Sequence, residues 1–331
     1  MVYTAALIGC GKIGSEFCDD PLVTDIYTHS EAYAACPETI LTAVCDIDPD
    51  KVRRCGERWK VPARYCDAAQ MLAEQQPQIV SICTPDSSHS ELILLALATP
   101  SVQAILTEKP LALDLRQAQN IVRLVSEWNG ILAVNYSRRY IESYNRLRGS
   151  LQSGLIGQIQ NLSGYFTKGT IHNGTHWFDL ARFLLGEVNL VWGYDSLREK
   201  GDDPTLDAFL ALECGASAHL HGCNHEAFTI FEMDIIGTGG RVRIVESGND
   251  FEIYEVGESP RFSGYNTLIF KEKLENCIRD ALLHAVEEVT YCLNSGSQPT
   301  CTADDGLAAL KIALAVRESV CSGRIVRLDM D

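Results

Sequence analysis

The N-terminal segment places the strongest constraint on the fold. An apolar run, TAALIG, leads directly into the motif Gly9-Cys10-Gly11-Lys12-Ile13-Gly14, and a helix-like segment follows. In such a GxGxxG loop the first glycine allows a tight turn, the second lets the backbone approach a pyrophosphate, and the third permits close packing of helix and strand. The N–H groups that open the helix favour an anion. The pattern therefore predicts a dinucleotide site that contains Gly9, Gly11, Lys12, Ile13 and Gly14.

Asp46 is the candidate for cofactor selection. It ends the next apolar run, ILTAVCD, where a carboxylate accepts hydrogen bonds from ribose hydroxyls and repels a 2′-phosphate. NAD is therefore expected rather than NADP, although Lys51, Arg53 and Arg54 follow closely. Asp46 comes later than the usual spacing of roughly 20 residues, and the surplus segment CDDPLVTDIYTHSEAY is expected to split or extend the first helix. An ordinary turn carboxylate is the alternative for Asp46.

Residues 1–136 alternate between short apolar runs and helix-like stretches. The runs TAALIG, ILTAVCD, IVSICT, AILTEK and ILAVNY are separated by segments such as SSHSELILLALAT and LRQAQNIVRLVSEW. Strands separated by helices pair in parallel, and nearly continuous apolar strands fit a sheet that is covered on both faces. This part of the chain is predicted to form a doubly wound Rossmann domain of the α/β class.

Residues 137–331 have a different pattern. The runs IQNLSGYFT, NLVWGYD, DAFLALEC, ASAHLHGC, FTIFEMDIIG, RVRIVES and FEIYEV follow one another with short turns, which is typical of a large, mainly antiparallel sheet. Helices are expected over RRYIESYNRLRGSL, THWFDLARFLLG, LENCIRDALLHAVEEVTYCLNSG and TADDGLAALKIALAVRESVCSG, before a final strand, RIVRL. We expect a second α/β domain on an open sheet, with a C-terminal segment free to pack back on the first domain.

Charge and cysteine content narrow the class of protein. The formal net charge of -16 disfavours a nucleic-acid partner. No apolar run approaches the roughly 18 residues that span a bilayer, so no membrane association is expected. The 13 cysteines include no CxxC pair, which predicts reduced thiols and a cytoplasmic location. The start of the chain is interpreted as a buried strand rather than a signal peptide.

Two further motifs complete a family pattern. One is Thr107-Glu108-Lys109-Pro110, and the other is His172-Asn173-Gly174-Thr175-His176-Trp177-Phe178-Asp179. With the glycine motif and Thr84-Pro85, they resemble the Gfo/Idh/MocA oxidoreductase family over nearly the whole chain. The resemblance implies a Rossmann domain followed by an α/β domain on an open antiparallel sheet. It also implies a dehydrogenase that acts on the CH–OH group of its substrate with a nicotinamide cofactor.

The resemblance implies roles for individual residues. Lys109 would face the nicotinamide ribose and the substrate, and His176 would be the catalytic acid/base. Arg139 would border the nicotinamide and the substrate, with an ion pair to a nearby acid as its alternative. The cofactor side would also be lined by Thr84, Pro85, His89 and Glu108. A homodimer or homotetramer that associates through the open sheet is implied as well, and the apolar residues of FTIFEMDII could supply that surface.

Physical chemistry supports the two catalytic roles. Removing hydride from an alcohol carbon requires the hydroxyl proton to leave, and imidazole suits that task. A helix beginning at Thr175-His176 would disfavour added positive charge, so His176 is expected to stay neutral. Lys109 ends a predicted parallel strand, where such sheets bind ligands, and its ammonium could stabilise a developing alkoxide. Pro110 is expected to fix the turn through a trans peptide bond.

One position departs from the family pattern. Many members carry Asp four residues before the catalytic histidine, and here that residue is His172. His172 cannot supply the negative charge that would orient the imidazole, which leaves the proton relay and the direction of reaction open. The substrate-binding candidates are Arg139, Tyr165, Lys168, His172, Asn173 and His176, with a plain surface role as the alternative for Tyr165, Lys168 and Asn173.

No metal site is predicted. His172 and His176 are four residues apart, but the intervening NGT lacks the glutamate of an HExxH motif. His219, His221 and His225 are interpreted as part of a solvated or interface face of a strand, on which 219 and 221 share one side.

These observations favour an NAD-dependent dehydrogenase whose partner is a small sugar or nucleotide sugar. The run KGTIHNGTHWFDLARFLLG resembles family members of surface-polysaccharide and amino-sugar synthesis, and a UDP-N-acetylglucosamine 3-dehydrogenase is a specific candidate. A diphosphate could be bound by Lys168 and by the cluster Arg138, Arg139, Arg146 and Arg148. Two alternatives stay open: a glycosidase that uses retained NAD for transient oxidation, and a non-catalytic dinucleotide sensor.

Overall fold

The computed structural model describes residues 1–328 and divides into two compact units. The first unit contains Met1–Tyr140 and Arg279–Leu310, and the second contains Ile141–Ile278 and the chain from Lys311 onward. The division falls just after Tyr140 and assigns a C-terminal stretch to the first unit. The domain limits expected from the sequence, 1–136 and 137–331, stay a prediction.

Six parallel strands form the sheet of the first unit. They are β1 (Tyr3–Ile8), β2 (Thr39–Cys45), β3 (Ala63–Tyr65), β4 (Ile79–Ile82), β5 (Ala104–Thr107) and β6 (Ile131–Val134). The strand order is β3-β2-β1-β4-β5-β6, and every neighbouring pair is parallel. This is the strand order of a Rossmann fold, so the predicted doubly wound sheet is confirmed. Strands β4, β5 and β6 are buried at every position, which explains their continuous apolar sequences.

The second unit is built on a larger, mostly antiparallel sheet. Its strands are β7 (Ile159–Phe166), β8 (Val188–Tyr194), β9 (Asp207–Leu212), β10 (Ser217–Gly222), β11 (Phe231–Gly237), β12 (Gly240–Val245), β13 (Asp250–Glu258), β14 (Asn266–Leu274) and β15 (Val326–Arg327). The order is β14-β13-β12-β11-β7-β10-β9-β8-β15. Strands β7 and β10 pair in parallel, whereas the other neighbouring pairs are antiparallel. The predicted open, mainly antiparallel sheet is confirmed.

Helices of ordinary length connect these strands. They are α1 (His29–Ala35), α2 (Pro49–Arg58), α3 (Ala68–Gln75), α4 (His89–Leu97), α5 (Leu115–Glu127), α6 (Glu142–Gln152), α7 (Gly174–Leu185), α8 (Ala281–Ser295) and α9 (Ala303–Ser322). Asp48, Asp67 and Asp114 cap α2, α3 and α5 by accepting hydrogen bonds from N–H groups of the first turn. Short 3₁₀ turns cover Glu16–Asp19, Asp86–Ser88, Ser137–Tyr140 and Glu246–Gly248, and a π-helical turn covers Gly169–Asn173. Within residues 1–328, no helix is both long and apolar enough to cross a membrane.

One face of β7 packs against α7, and the contact selects glycine in the strand. A Cβ atom on Gly164 would lie 2.2 Å from Nε1 of Trp177 and 2.4 Å from the Glu232 carbonyl oxygen. The Trp177 indole N–H donates to that same carbonyl at 3.1 Å. The glycine therefore leaves the room that the buried indole needs to reach the Glu232 carbonyl.

The part of FTIFEMDII that lies in β11 does not supply the apolar surface expected of it. Phe231, Met233 and Ile235 are between 0% and 5% exposed, because alternate residues of β11 turn into the core of the second unit. Exposed aromatic side chains lie instead on β8, where Trp192 and Tyr194 stack with ring centroids 6.2 Å apart.

Candidate active site

The glycine loop after β1 has the geometry that its sequence demands. Gly9 has φ +99°, and a Cβ atom there would lie 2.5 Å from the Cys83 carbonyl oxygen. A Cβ atom on Gly14 would lie 2.0 Å from the Gly9 carbonyl oxygen. Gly11 is open, since a Cβ atom there would meet one atom within contact range, Nζ of Lys51 at 3.9 Å. Two of the glycines thus close the loop, and the third leaves free space above it.

The surplus segment between β1 and β2 splits the first helix. The backbone N–H groups of His29 and Ser30 donate to the carbonyls of Ile13 and Gly14, both at 3.0 Å. These carbonyls belong to the turn that follows the glycine loop, so α1 continues that turn after residues 15–28 have looped out. The start of α1 is therefore bonded directly to the dinucleotide loop.

Lys12 and Ile13 lie on opposite sides of that turn. Lys12 is exposed, with Nζ 6.0 Å from the centre of the Phe17 ring. Ile13 is partly buried against the core cluster that contains Leu7 and Val44.

Asp46 ties the loop after β2 to the glycine loop. Its Oδ2 accepts from the Cys10 N–H at 2.7 Å, and its Oδ1 accepts from the Asp48 N–H at 3.0 Å. The carboxylate has the turn role that was the alternative, and its contact with a ribose stays a prediction.

The basic residues after Asp46 differ in whether carboxylates already pair with their charges. Arg53 pairs with acids of its own helix, and Arg54 pairs with Glu16 at 2.6 Å. Lys51 is the basic side chain beside Gly11. Both arginine charges are therefore already matched by carboxylates, which lowers the attraction of this corner for a 2′-phosphate.

His89 joins the loops that follow β4 and β5. It is fully buried, with Nδ1 2.7 Å from the Pro110 carbonyl oxygen and Nε2 2.8 Å from the Thr84 carbonyl oxygen. Carbonyl oxygens only accept, so both contacts are hydrogen bonds when both ring nitrogens carry hydrogen. Oγ of Ser88 lies 2.7 Å from Oγ1 of Thr84 and 2.8 Å from the Pro85 carbonyl oxygen, which fixes the turn after β4.

Glu108 and Lys109 follow β5 and are nearly buried, at 8% and 9% exposure. Oε1 of Glu108 accepts from Nδ2 of Asn135 at 2.6 Å and lies 3.1 Å from Nε2 of His29. Burial alone would raise the pKa of Glu108, but the bonds from His29 and Asn135 and the charges of His29 and Lys109 lower that pKa below its usual value. Glu108 is therefore held as a carboxylate beside Lys109. The Lys109–Pro110 peptide bond is cis, contrary to the expected trans geometry.

Next to Glu108 lies a chain of buried, hydrogen-bonded side chains that the sequence analysis did not predict. His29 also lies 3.0 Å, through Nδ1, from Oγ of Ser81, which in turn lies 2.7 Å from the Tyr33 hydroxyl. His29 and Ser81 are fully buried, and Tyr33 is 1% exposed. Since His29 and Glu108 are 79 positions apart, no local pattern marks the contact. The sole hint was a histidine in the surplus segment.

Two observations show that the first unit fits a nicotinamide dinucleotide. The open side of Gly11 has room for a pyrophosphate beside Lys51. Oδ1 of Asn135 is buried, and the described residues offer it no hydrogen-bond partner. An amide oxygen buried next to Glu108 suits a ligand that donates a hydrogen bond, such as a carboxamide.

Arg139 is paired within the first unit. Its Nη2 lies 3.0 Å from Oδ1 of Asp305, and its Nη1 donates to the Thr300 carbonyl at 3.2 Å. The guanidinium is 8% exposed, so the ion pair that was its alternative is present. Contact of Arg139 with substrate stays a prediction.

In the second unit, the segment that carries His176 begins earlier than expected. The π-helical turn Gly169–Asn173 precedes α7, and the Asp203 carboxylate accepts from the N–H groups of Ile171 and His172 at 2.9 and 2.8 Å. Helix α7 begins at Gly174, next to the expected start at Thr175-His176, but the π-helical turn continues it upstream; the neutral state expected of the imidazole stays a prediction. The terminal N–H groups lie a turn earlier, and an acid already caps them.

The predicted substrate residues of this segment differ in exposure. His176 is partly buried, with its ring 6.4 Å from that of Phe231, whereas His172 is exposed. Lys168 is exposed in a left-handed conformation with φ +69°. Nδ2 of Asn173 donates to the Thr167 carbonyl at 2.8 Å, so this amide stabilises the turn.

Tyr165 does not join this group. Its neighbours on β7, Gly164 and Phe166, face α7, so the alternation of the strand directs Tyr165 to the opposite face of the sheet. There it is 44% exposed with its ring 5.6 Å from that of His221. The geometry favours the surface role that was its alternative. Within residues 1–328, no group of three or more His, Cys, Asp or Glu side chains is arranged to hold a metal ion.

Fold and side chains together define an oxidoreductase with a dinucleotide-binding unit. Residues 3–136 match the domain described as "Oxidoreductase family, NAD-binding Rossmann fold", and residues 165–328 match "Oxidoreductase family, C-terminal alpha/beta domain". The chain belongs to the Gfo/Idh/MocA oxidoreductase family, which confirms the resemblance found in its motifs.

Similar proteins include several dehydrogenases. Myo-inositol 2-dehydrogenase of Thermotoga maritima is 23% identical over 349 residues, a match that covers 98% of each chain. D-apiose dehydrogenase of Rhizobium rhizogenes is 26% identical, which covers 97% of this chain and 96% of the relative. A solved oxidoreductase from Agrobacterium radiobacter, in complex with NAD⁺, L-tartaric acid and magnesium, has a TM-score of 0.79 at 22% identity, with 99% of this chain and 98% of that chain covered. At this identity the structural likeness shows the fold.

Two substitutions in the glycine loop are expected to separate an effect on NADH binding from an effect on folding. Gly11→Ala should fold normally, because its Cβ atom meets nothing closer than 3.9 Å, yet NADH should bind about tenfold or more weakly because the methyl group fills the phosphate space. Gly14→Ala should instead lower the stability of the fold by about 1–3 kcal/mol through overpacking. Thermal unfolding and NADH fluorescence titration measure the two effects. Unchanged NADH affinity in Gly11→Ala would place the dinucleotide elsewhere.

Proposed function

We propose that this protein oxidises a secondary alcohol of a cyclic polyol or sugar with NAD. The observation that carries the proposal is the nearly buried Lys109 beside an ionised Glu108, at the carboxyl edge of an NAD-binding Rossmann sheet. That edge is where parallel sheets bind their ligands. The names of the relatives, an inositol dehydrogenase and an apiose dehydrogenase, support a ring alcohol as the substrate.

The proposed reaction divides one proton and one hydride between two acceptors. Bound NAD supplies the acceptor for the hydride from the alcohol carbon. His176 takes the hydroxyl proton, and the Lys109 ammonium donates a hydrogen bond to the oxygen as it becomes an alkoxide. The C–H and O–H bonds break, the C=O double bond forms, and a ketone results. Glu108 balances the charge of Lys109 and is not itself consumed.

NAD rather than NADP is the proposed cofactor. The Asp46 carboxylate is fixed beside the glycine loop, and Arg53 and Arg54 are matched by acids. The Asp46 carboxylate would repel a 2′-phosphate bound beside the glycine loop, and Lys51 is the nearby basic side chain that could offset this repulsion.

The side-chain pairing favours a free polyol or sugar over a nucleotide sugar. Of the four arginines considered for a diphosphate, Arg139 pairs with Asp305, Arg146 pairs with Glu142, and the Arg148 guanidinium lies 4.8 Å from the centre of the Phe183 ring. UDP-N-acetylglucosamine therefore belongs in the test as the competing substrate.

The first experiment is a substrate panel with purified protein. Myo-inositol, scyllo-inositol, apiose, glucosides and UDP-N-acetylglucosamine are each supplied with NAD or NADP, and NADH absorbance is followed. We expect reduction of NAD by a cyclic polyol or free sugar. Lys109→Ala should lower turnover about 10²- to 10³-fold, and His176→Ala about 10²- to 10⁴-fold, with NADH affinity nearly unchanged.

Matched controls are Lys271→Ala and His284→Ala, whose side chains are 46% and 43% exposed and which should leave turnover intact. Full activity in Lys109→Ala or His176→Ala would refute the assigned roles. A retained cofactor with glycoside cleavage and no net NADH would identify the transient-oxidation glycosidase instead. NAD binding with no turnover of any substrate would favour the sensor.

Self-association through the outward face of the second sheet is also proposed, within a cytoplasmic protein. Trp192 and Tyr194 are 43% and 54% exposed on β8, and Tyr165 adds another exposed ring on β7. Contiguous exposed aromatic surface is typical of subunit interfaces. We expect a dimer or tetramer by light scattering, and Trp192→Glu should dissociate it. A wild-type monomer at assay concentration would exclude the interface.

A further inference from the structure

His29 has an arrangement that ordinary core packing does not require. Its side chain is fully buried, and both ring nitrogens have polar neighbours: Oγ of Ser81 at 3.0 Å and Oε1 of Glu108 at 3.1 Å. Burying a polar side chain is unfavourable unless its hydrogen bonds are made, and burying a carboxylate beside it is more so. An apolar side chain would fill the same space at lower cost, so the histidine calls for a specific explanation.

The hydrogen bonds of the chain have one consistent direction. Burial raises the pKa of Tyr33, so its hydroxyl stays protonated and is able to donate to Oγ of Ser81. The Ser81 hydroxyl then donates to Nδ1 of His29, and the N–H at Nε2 donates to the Glu108 carboxylate. This assignment gives every hydrogen of the chain an acceptor.

The chain is not a route for protons to solvent. Its far end, Tyr33, is 1% exposed, and Ser81 and His29 are fully buried. A relay that ends in the core cannot discharge a proton with each turnover. Of the three side chains, it is His29 that contacts Glu108.

The backbone of His29 contacts the glycine loop, on the other side of the predicted cofactor site. The His29 N–H donates to the Ile13 carbonyl of the glycine motif at 3.0 Å. His29 is also the first residue of α1, which Thr28 caps through Oγ1. One residue thus bonds the glycine loop with its backbone and the Glu108-Lys109 turn with its ring.

We propose that His29 is a positioning residue for the dehydrogenase reaction: its ring keeps Glu108 ionised and oriented, and Glu108 in turn sets the position and charge of Lys109. The inference rests on the proposed function of Lys109. Through its backbone bond, His29 also links the loop that receives the pyrophosphate to the lysine that acts on the alcohol.

The groups around Glu108 define the pH dependence that follows. They are His29 from α1, Asn135 after β6, Lys109 on its own turn, and Cys83 after β4, whose thiol pKa is raised by burial and by the charge of Glu108. The pKa of Glu108 is lower in the folded protein than in the unfolded chain. The ionised carboxylate therefore stabilises the fold fully at pH values above the unfolded pKa, and this stabilisation is lost as pH falls through the folded pKa. Removing the His29 donor raises the folded pKa, so the loss should begin at higher pH.

The test compares two substitutions of one side chain. His29→Gln retains an N–H donor for Glu108 and an oxygen acceptor for Ser81, whereas His29→Leu retains neither. We expect His29→Leu to lower kcat about 10- to 100-fold and to move the acid limb of the kcat–pH profile to higher pH. The Kd for NADH should change less than about threefold, because the backbone bond to Ile13 persists. His29→Gln should recover most of the lost kcat.

Tyr33→Phe is the matched control, since it breaks the chain beyond Ser81 and leaves the donor to Glu108 in place; its pH profile should match the wild type. Equal kcat and pH profiles in His29→Leu and the wild type would overturn the proposal, and so would a His29→Gln variant as impaired as His29→Leu.

A second measurement does not depend on any substrate. Thermal unfolding is followed from neutral pH down through the carboxylate range for the wild type, His29→Leu and the double variant His29→Leu/Glu108→Gln. His29→Leu should lose stability at higher pH than the wild type, and the double variant should regain it because the unpaired charge is gone. Equal instability of the single and double variants would refute the link to Glu108. This stability measurement requires no substrate. If the substrate panel failed, the failure would count against the proposed function and would leave the test of His29 intact.

Discussion

Buried hydrogen bonds that join neighbouring loops at the carboxyl edge of the parallel sheet are the constraint on which the candidate site depends. Asp46 fixes the loop after β2 to the glycine loop, His89 joins the loops after β4 and β5, and Glu108 joins the loop after β5 to Asn135. His29 connects the glycine loop to Glu108. A flexible set of loops would lose its alignment in each turnover, whereas these bonds keep the cofactor side organised before any ligand arrives.

The two units contribute different chemistry to the proposed reaction. In the first unit, the charged groups Glu108 and Lys109 are nearly buried, and low exposure strengthens their mutual attraction. In the second unit, His176 is partly buried and His172 is exposed, on a segment whose backbone the Asp203 carboxylate caps. This carboxylate binds backbone N–H groups, so it secures the segment without restoring the side-chain charge that His172 lacks.

Local sequence patterns predicted the parts of the molecule that local geometry determines. The glycine motif and the apolar strands gave the Rossmann sheet, and alternation gave the second sheet. The helix α2 and the strand β3 were missed because their sequences, PDKVRRCGER and ARY, contain few apolar residues, and the strand β14 was missed as well. His29 and Asp203 were missed because their partners lie 79 and 31 residues away, and Tyr165 was assigned to the site because the strand's facing was not considered. Such contacts follow from tertiary structure alone.

The central claim is that hydride passes from a ring carbon that bears a hydroxyl group to the nicotinamide, with Lys109 and His176 acting on the oxygen. Its most direct test supplies a polyol or sugar deuterated at its hydroxyl-bearing carbons together with unlabelled NAD, and then locates the deuterium by mass spectrometry and NMR. The account predicts deuterium at C4 of the reduced nicotinamide, on a single face of the ring, and a ketone at the carbon that lost it. Deuterium that stays in the substrate or is found in the water would contradict direct hydride transfer.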